Sequence, residues 1–207
     1  MTIPVYKAVI FDCDGVMFDT SEANRSFYNS VLAQFGQPLL TDDQFAYVHA
    51  HTVDDSIAHL FKTPEAVSKA QAYRKAMSYL PFIADMLIEP DLVPLLTRLR
   101  PQCRTAIATN RTDTMNRVME QFSLTDLFDM VVCAQDVQNP KPAPDPLLKI
   151  LKAFRLRPEQ ALFIGDSTVD QDTAAAAGVP FAAYDNPSLT ADYHVSRLAE
   201  ITGICFP

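Results

Sequence analysis

Apolar and polar positions along the chain fall into two regimes. Ala8-Val9-Ile10-Phe11 is a short unbroken apolar run that ends in Asp12-Cys13-Asp14-Gly15-Val16. A run of this length reads as a strand buried on both faces, so Asp12 is expected where the strand leaves the sheet. From residue 20 to 80 the pattern is helical throughout, with no strand predicted. Phe27, Tyr28, Val31, Leu32 and Phe35 share one face of a helix capped by Thr20 or Ser21 and stopped at Gly36. Further helix starts are Thr41-Asp42-Asp43-Gln44, which has the capping-box pattern, then Thr52-Val53-Asp54-Asp55, and Thr63-Pro64-Glu65 with proline at the first helical position.

From about residue 90 helices and strands alternate. Helices are predicted over 92–100, 112–122, 145–154 and 170–177, and strands over 105–108, 130–134, 161–164 and 179–183. This predicts an α/β fold: a Rossmann-like parallel sheet, covered on both faces and joined by right-handed crossovers. The first strand meets no helix-strand partner before residue 105, so the helical stretch reads as an insertion. The expected organisation is a core of residues 1–18 and 85–207 and a small helical cap domain of residues 19–84.

Composition narrows the classes. A chain of 207 residues can bury one sizeable core with an appended subdomain. No run approaches a membrane span, and Met1-Thr2-Ile3-Pro4 lacks the charged start of a secretory leader, so a cytoplasmic location is expected. Cys13, Cys103, Cys133 and Cys205 form no CxxC pair and read as reduced, buried thiols. The net charge of -8 argues against nucleic-acid and anionic-membrane partners. An anionic small molecule stays possible if acids holding a cation and a few bases gather locally.

Every predicted strand end carries polar chemistry: Asp12 and Asp14, Thr109 and Asn110, Lys141 in the next loop, then Asp166 and Asp170. In a parallel sheet these ends share one edge, where open α/β sheets bind ligands. The set suits phosphoryl transfer, in which catalysis is mostly positioning and charge stabilisation. Asp12 can be the nucleophile that forms an aspartyl phosphate, and Asp14 the acid and base for the leaving oxygen and for water. Oxygens of Asp12, Asp166 and the Asp14 backbone suit Mg²⁺, while Lys141, Thr109 and Asn110 would hold phosphoryl oxygens. Taken singly, Thr109-Asn110 reads as a helix cap, Lys141 among four prolines as a solvated lysine, and Asp170 and Asp172 as first-turn acids favoured by the helix dipole. Asp166 has no such local explanation.

Together these residues resemble the haloacid dehalogenase superfamily of aspartate-nucleophile hydrolases. Asp12-Cys13-Asp14-Gly15-Val16 looks like its first motif and Thr109-Asn110 its second. Lys141 in Lys141-Pro142-Ala143-Pro144-Asp145-Pro146 looks like the third, and Gly165-Asp166-Ser167-Thr168-Val169-Asp170 the fourth. The insertion resembles the small C1 cap of the phosphoglycolate phosphatase-like branch. The resemblance implies a Mg²⁺-dependent phosphatase of small phosphorylated metabolites, with Asp170 supporting the metal site from behind its ligands. Asp14 argues for phosphate esters, since dehalogenases lack that second acid. A sugar-phosphate mutase of the β-phosphoglucomutase type is the alternative within the family, but Asn24 stands where that group has its histidine and Val53 where it has its cap arginine. A non-enzymatic, receiver-like phosphoacceptor is the alternative outside it. His49-Ala50-His51, in the part of a C1 cap that faces substrate, and Arg111 are candidate substrate contacts. With His59 a turn later the cap histidines also suggest a second metal site, against a helix start carrying an Asp55/His59 pair.

Overall fold

The computed structural model describes residues 5–207; Met1-Thr2-Ile3-Pro4, which entered the expectation about location, lie outside them. The chain enters through β1 (Ala8–Phe11) and passes a two-residue strand, β2 (Phe18–Asp19). Five helices follow, α1 (Ser21–Gln34), α2 (Asp42–Ala50), α3 (Val53–Leu60), α4 (Pro64–Ala76) and α5 (Leu80–Ile83), and the chain returns through β3 (Leu87–Ile88). Alternation then runs α6 (Leu92–Leu99), β4 (Arg104–Ala108), α7 (Met115–Gln121), β5 (Met130–Val132), α8 (Asp145–Phe154), β6 (Ala161–Gly165), α9 (Thr168–Ala177), β7 (Phe181–Tyr184), β8 (Tyr193–Val195) and α10 (Ile201–Cys205).

Six strands form one parallel sheet in the order β5-β4-β1-β6-β7-β8. Alternate residues of β1 serve opposite faces, as strand geometry dictates. Val9 and Phe11 join the core that includes α6, α7, α10 and the inserted helices, whereas Ala8 and Ile10 join the one that includes α8 and α9. Leu92, Leu95, Leu96 and Leu99 of α6 are buried at helical spacing. Leu147, Ile150 and Leu151 do the same in α8. No helix among the described residues is long and apolar enough to cross a membrane.

Register places the chemistry. Phe11 lies opposite Ile107 of β4 and Ile164 of β6, so Asp12, Thr109 and Asp166 leave adjacent strands within one residue of the same level. The inserted helices start on the predicted threonines: the side chains of Thr41, Thr52 and Thr63 each accept an N–H of the first turn, Thr41 with Gln44 as a full capping box.

Several elements differ from expectation. Thr20 does not cap α1; its hydroxyl instead accepts the Asn24 amide at 3.3 Å. α7 starts at Met115 rather than 112, because the backbone after β4 is spent turning Arg111 back into the molecule, where it reaches Thr114 Oγ1 at 3.4 Å. α9 starts at Thr168, with Ser167 and Asp170 forming a capping box. Strands β2, β3 and β8 were not predicted: two or three residues are too short for alternation to register. β2 and β3 pair antiparallel, Phe18 with Ile88, and so knit together the two chain crossings that flank the inserted helices.

Candidate active site

β1 delivers Asp12 into an almost closed position, 7% exposed, where a lone carboxylate would be costly. Lys141 answers it: its Nζ lies 2.7 Å from Asp12 Oδ1 and donates to Asp170 Oδ1 at 2.6 Å. The other Asp170 oxygen accepts the Ser167 N–H at 3.2 Å and its hydroxyl at 2.6 Å, so the α9 cap fixes the anchor of the lysine. Backbone room is needed twice. Gly15 has φ +82°, and a Cβ there would collide with the Asp166 carboxylate; a Cβ at Gly165 would collide with that of Asp170.

Asp12, Asp166 and Asp170 bring one carboxylate oxygen each within 4.8 Å of one another. Burial, then the neighbouring carboxylates, push Asp166 up to about 8; burial also lifts Asp12, to about 7, against the pull of Lys141. With all three carboxylates ionised, the one ammonium would leave two negative charges over. The donor set is all hard oxygen, so the residues present fit a divalent cation of the Mg²⁺ kind. The same group is the candidate metal cluster found among the described residues, and the cap histidines do not form a second. His51 and His59 instead both stack on Tyr47, ring centres 3.9 Å away in each case, and Asp55 takes the Thr52 hydroxyl rather than His59.

Asp14, although two residues from Asp12, turns its side chain elsewhere. Arg111 grips it with both arms of the guanidinium, Nε to Oδ2 at 2.7 Å and Nη2 to Oδ1 at 2.6 Å. Burial would raise this carboxyl, but the guanidinium overrides it and holds the group down at about 2. Asn24 links the pair to the inserted helices. Its Nδ2 reaches Asp14 Oδ1 at 3.5 Å and His49 Nδ1 at 3.1 Å.

Thr109, 1% exposed, accepts the Arg111 N–H on its hydroxyl at 3.1 Å, which leaves the hydroxyl proton to donate. Asn110, the other phosphate candidate of this loop, donates its side-chain amide to the carbonyls of Lys141 at 3.1 Å and Ala50 at 3.3 Å. It therefore ties the lysine loop to the end of α2. Asp12, Asp14, Thr109, Arg111, Lys141 and the two cap histidines His49 and His51 line one cavity of about 160 Å³.

Sequence reasoning missed Arg74, Lys75 and Arg117, which also line that cavity. Arg74 pairs with Asp54 across α4 and α3, yet on the sequence it is one more charge in the last turn of a polar helix. With them, five cationic side chains face three acids, Asp12, Asp14 and Asp113, in a molecule of net charge -8. Ser167 was overlooked too, although Ser-x-x-Asp before an apolar stretch is a readable capping signal.

The family profile described as "Haloacid dehalogenase-like hydrolase" matches residues 9–184. The phosphoglycolate phosphatase of Rhodobacter capsulatus is 32% identical over 184 residues, which cover 86% of this chain and 83% of that one. The N-acetylmuramic acid 6-phosphate phosphatase of Pseudomonas putida is 26% identical over 86% of this chain and 82% of its own. Among solved structures, a subfamily IA hydrolase of the same superfamily from Geobacter sulfurreducens superposes with a TM-score of 0.79 at 39% identity, covering 97% of both chains. A profile spanning the sheet from β1 to β7, and relatives alike over nearly their full length, agree with the grouping of acids at the sheet edge: the chain belongs to the haloacid dehalogenase-like hydrolases.

Proposed function

We propose that the protein is a Mg²⁺-dependent phosphatase that cleaves phosphate monoesters of small metabolites through an aspartyl phosphate on Asp12. The observation that carries this reading is the meeting of Asp12, Asp166, Asp170 and Lys141 beneath a cavity lined by an excess of cations. The names of relatives support phosphatase chemistry on small phosphorylated compounds, phosphoglycolate among them. Membership of a hydrolase family sets aside the receiver-like phosphoacceptor. The four free, buried cysteines support a cytoplasmic location.

Asp12 and Asp166, with the Asp14 backbone oxygen, would hold Mg²⁺, and Asp170 would orient the site from behind while anchoring Lys141. Bound Mg²⁺ supplies positive charge where an anionic phosphoryl group must approach an anionic carboxylate. An Asp12 oxygen attacks phosphorus as the ester oxygen departs; Asp14, once off the Arg111 fork and carrying a proton taken from solvent, gives that proton to the leaving oxygen and later accepts one from the water that releases phosphate. Lys141 and the Thr109 hydroxyl hold phosphoryl oxygens. The inserted helices, residues 19–84, act as a cap that closes over the site and excludes water. The cations lining the cavity suit an anionic phosphate ester.

Purified protein with Mg²⁺, measured for phosphate release on a panel of phosphorylated metabolites starting with phosphoglycolate, tests the reading. Release from one or more members supports it, and absence of release from the whole panel overturns it.

A further inference from the structure

The acid assigned to the leaving oxygen is held away from the nucleophile's partners. Both Asp14 oxygens sit on the Arg111 fork, and a carboxylate gripped in this way is aimed at the guanidinium rather than at a substrate oxygen. Arg111 has independent supports: Nη1 donates to Thr114 Oγ1, and the guanidinium carbon lies 5.5 Å from the centre of the Tyr79 ring. The fork can therefore stay in place while its carboxylate changes. Arg111 also lines the cavity, so a bound substrate reaches it.

We propose that Arg111 is the specificity-determining receptor for a carboxylate on the substrate, and that the substrate carboxylate takes the place of Asp14 on the guanidinium and so frees Asp14 to serve the leaving oxygen. The inference rests on the phosphatase reading and deepens it. The exchange makes and breaks no covalent bond; one carboxylate replaces another in the same fork-on-fork geometry. The buried guanidinium is never left bare, because one carboxylate arrives as the other leaves. An ester without a second anion must part Arg111 from Asp14 with nothing to put in place, and its turnover suffers. Arg111 and Lys141 line the same cavity, which suits a phosphorylated acid whose carboxylate lies a few bonds from the phosphate.

The test compares 2-phosphoglycolate with its uncharged counterpart, 2-hydroxyethyl phosphate, on wild type, Arg111→Lys and Arg111→Met at saturating Mg²⁺. Wild type is expected to prefer the acid by at least about 100-fold in kcat/KM. In Arg111→Met the KM for the acid rises, kcat on the uncharged ester rises because Asp14 is unrestrained, and the preference shrinks to within about threefold. Arg111→Lys, which keeps the charge and loses the fork, falls between. An equal loss on both esters would mark Arg111 as merely structural, and a collapse due to the acid alone would refute the restraint on Asp14; either result overturns the proposal. A second measurement needs no variant: formate added to wild type should accelerate hydrolysis of the uncharged ester saturably, and inhibition or no effect overturns the proposal. Wild type inactive on both esters and on the wider panel would instead sink the phosphatase reading.

Discussion

Lys141 Nζ lies 2.6 Å from Asp170 Oδ1, with the lysine side chain 2% exposed and the aspartate fully enclosed. Asp170→Ala leaves Lys141 with Asp12 as its remaining partner but removes a buried hydrogen bond to the lysine and the acceptor of the Ser167 cap, so it should destabilise the protein by about 1–3 kcal/mol in urea unfolding. Asp170→Asn keeps the shape and should cost less stability, while turnover falls at least about tenfold as Lys141 loses its anchor. Wild-type stability in the alanine variant would contradict the pairing.

Asp12→Asn should abolish phosphate release on every ester while far-ultraviolet circular dichroism stays unchanged. The amide is nearly isosteric and can still accept from Lys141, so the fold has no reason to change, whereas the nucleophilic oxygen is gone. Residual turnover near wild type would remove Asp12 from its role.

Stability should depend on pH in a way that Mg²⁺ reverses. In the unfolded chain Asp12 and Asp166 lose their protons near the ordinary value of 3.8, whereas burial holds them protonated up to about 7 and about 8 in the folded, metal-free protein. The folded state binds more protons in that window, so their contribution is full below about pH 4 and is lost as pH climbs toward 8. Asp14, held at about 2, acts only at more acidic pH and leaves the window untouched. Urea midpoints in chelator should fall from pH 5 to pH 8, and millimolar Mg²⁺ should raise them more at pH 8 than at pH 5. A flat metal-free profile would refute the crowding of these carboxylates.

Gly15→Ala should be disproportionately harmful for one methyl group. The positive φ strains any other residue by about 1–3 kcal/mol, and the new carbon would displace the Asp166 carboxylate. Weaker Mg²⁺ binding in calorimetry is the expected signature. Gly36, also at positive φ but with open space around it, is the control: Gly36→Ala should cost stability without touching the metal.

Much of this was legible in the chain. Unbroken apolar runs ending in Asp12, Thr109 and Asp166 announce buried strands whose next residue reaches the sheet edge, because a strand covered on both faces has nowhere else to put a charge. Helix starts at Thr41, Thr52 and Thr63 were equally plain, since capping is a local matter of hydroxyl and amide. What escaped depends on distance in sequence. The Arg111–Asp14 pair spans 97 positions, and no spacing rule singles it out from a solvated arginine. Arg74 faces the cavity only because α4 packs as it does. Nor does any spacing show that the Asn110 amide meets the carbonyls of Ala50 and Lys141.

That amide has a wider meaning. One hydrogen of Asn110 faces the carbonyl of Ala50 and the other that of Lys141, so roof and floor are moored to a single small group. Lifting the roof by one hydrogen-bond length slackens the mooring of the lysine loop at the same moment. Were the inserted helices to open for a new guest, the grip on the old one would loosen in the same movement.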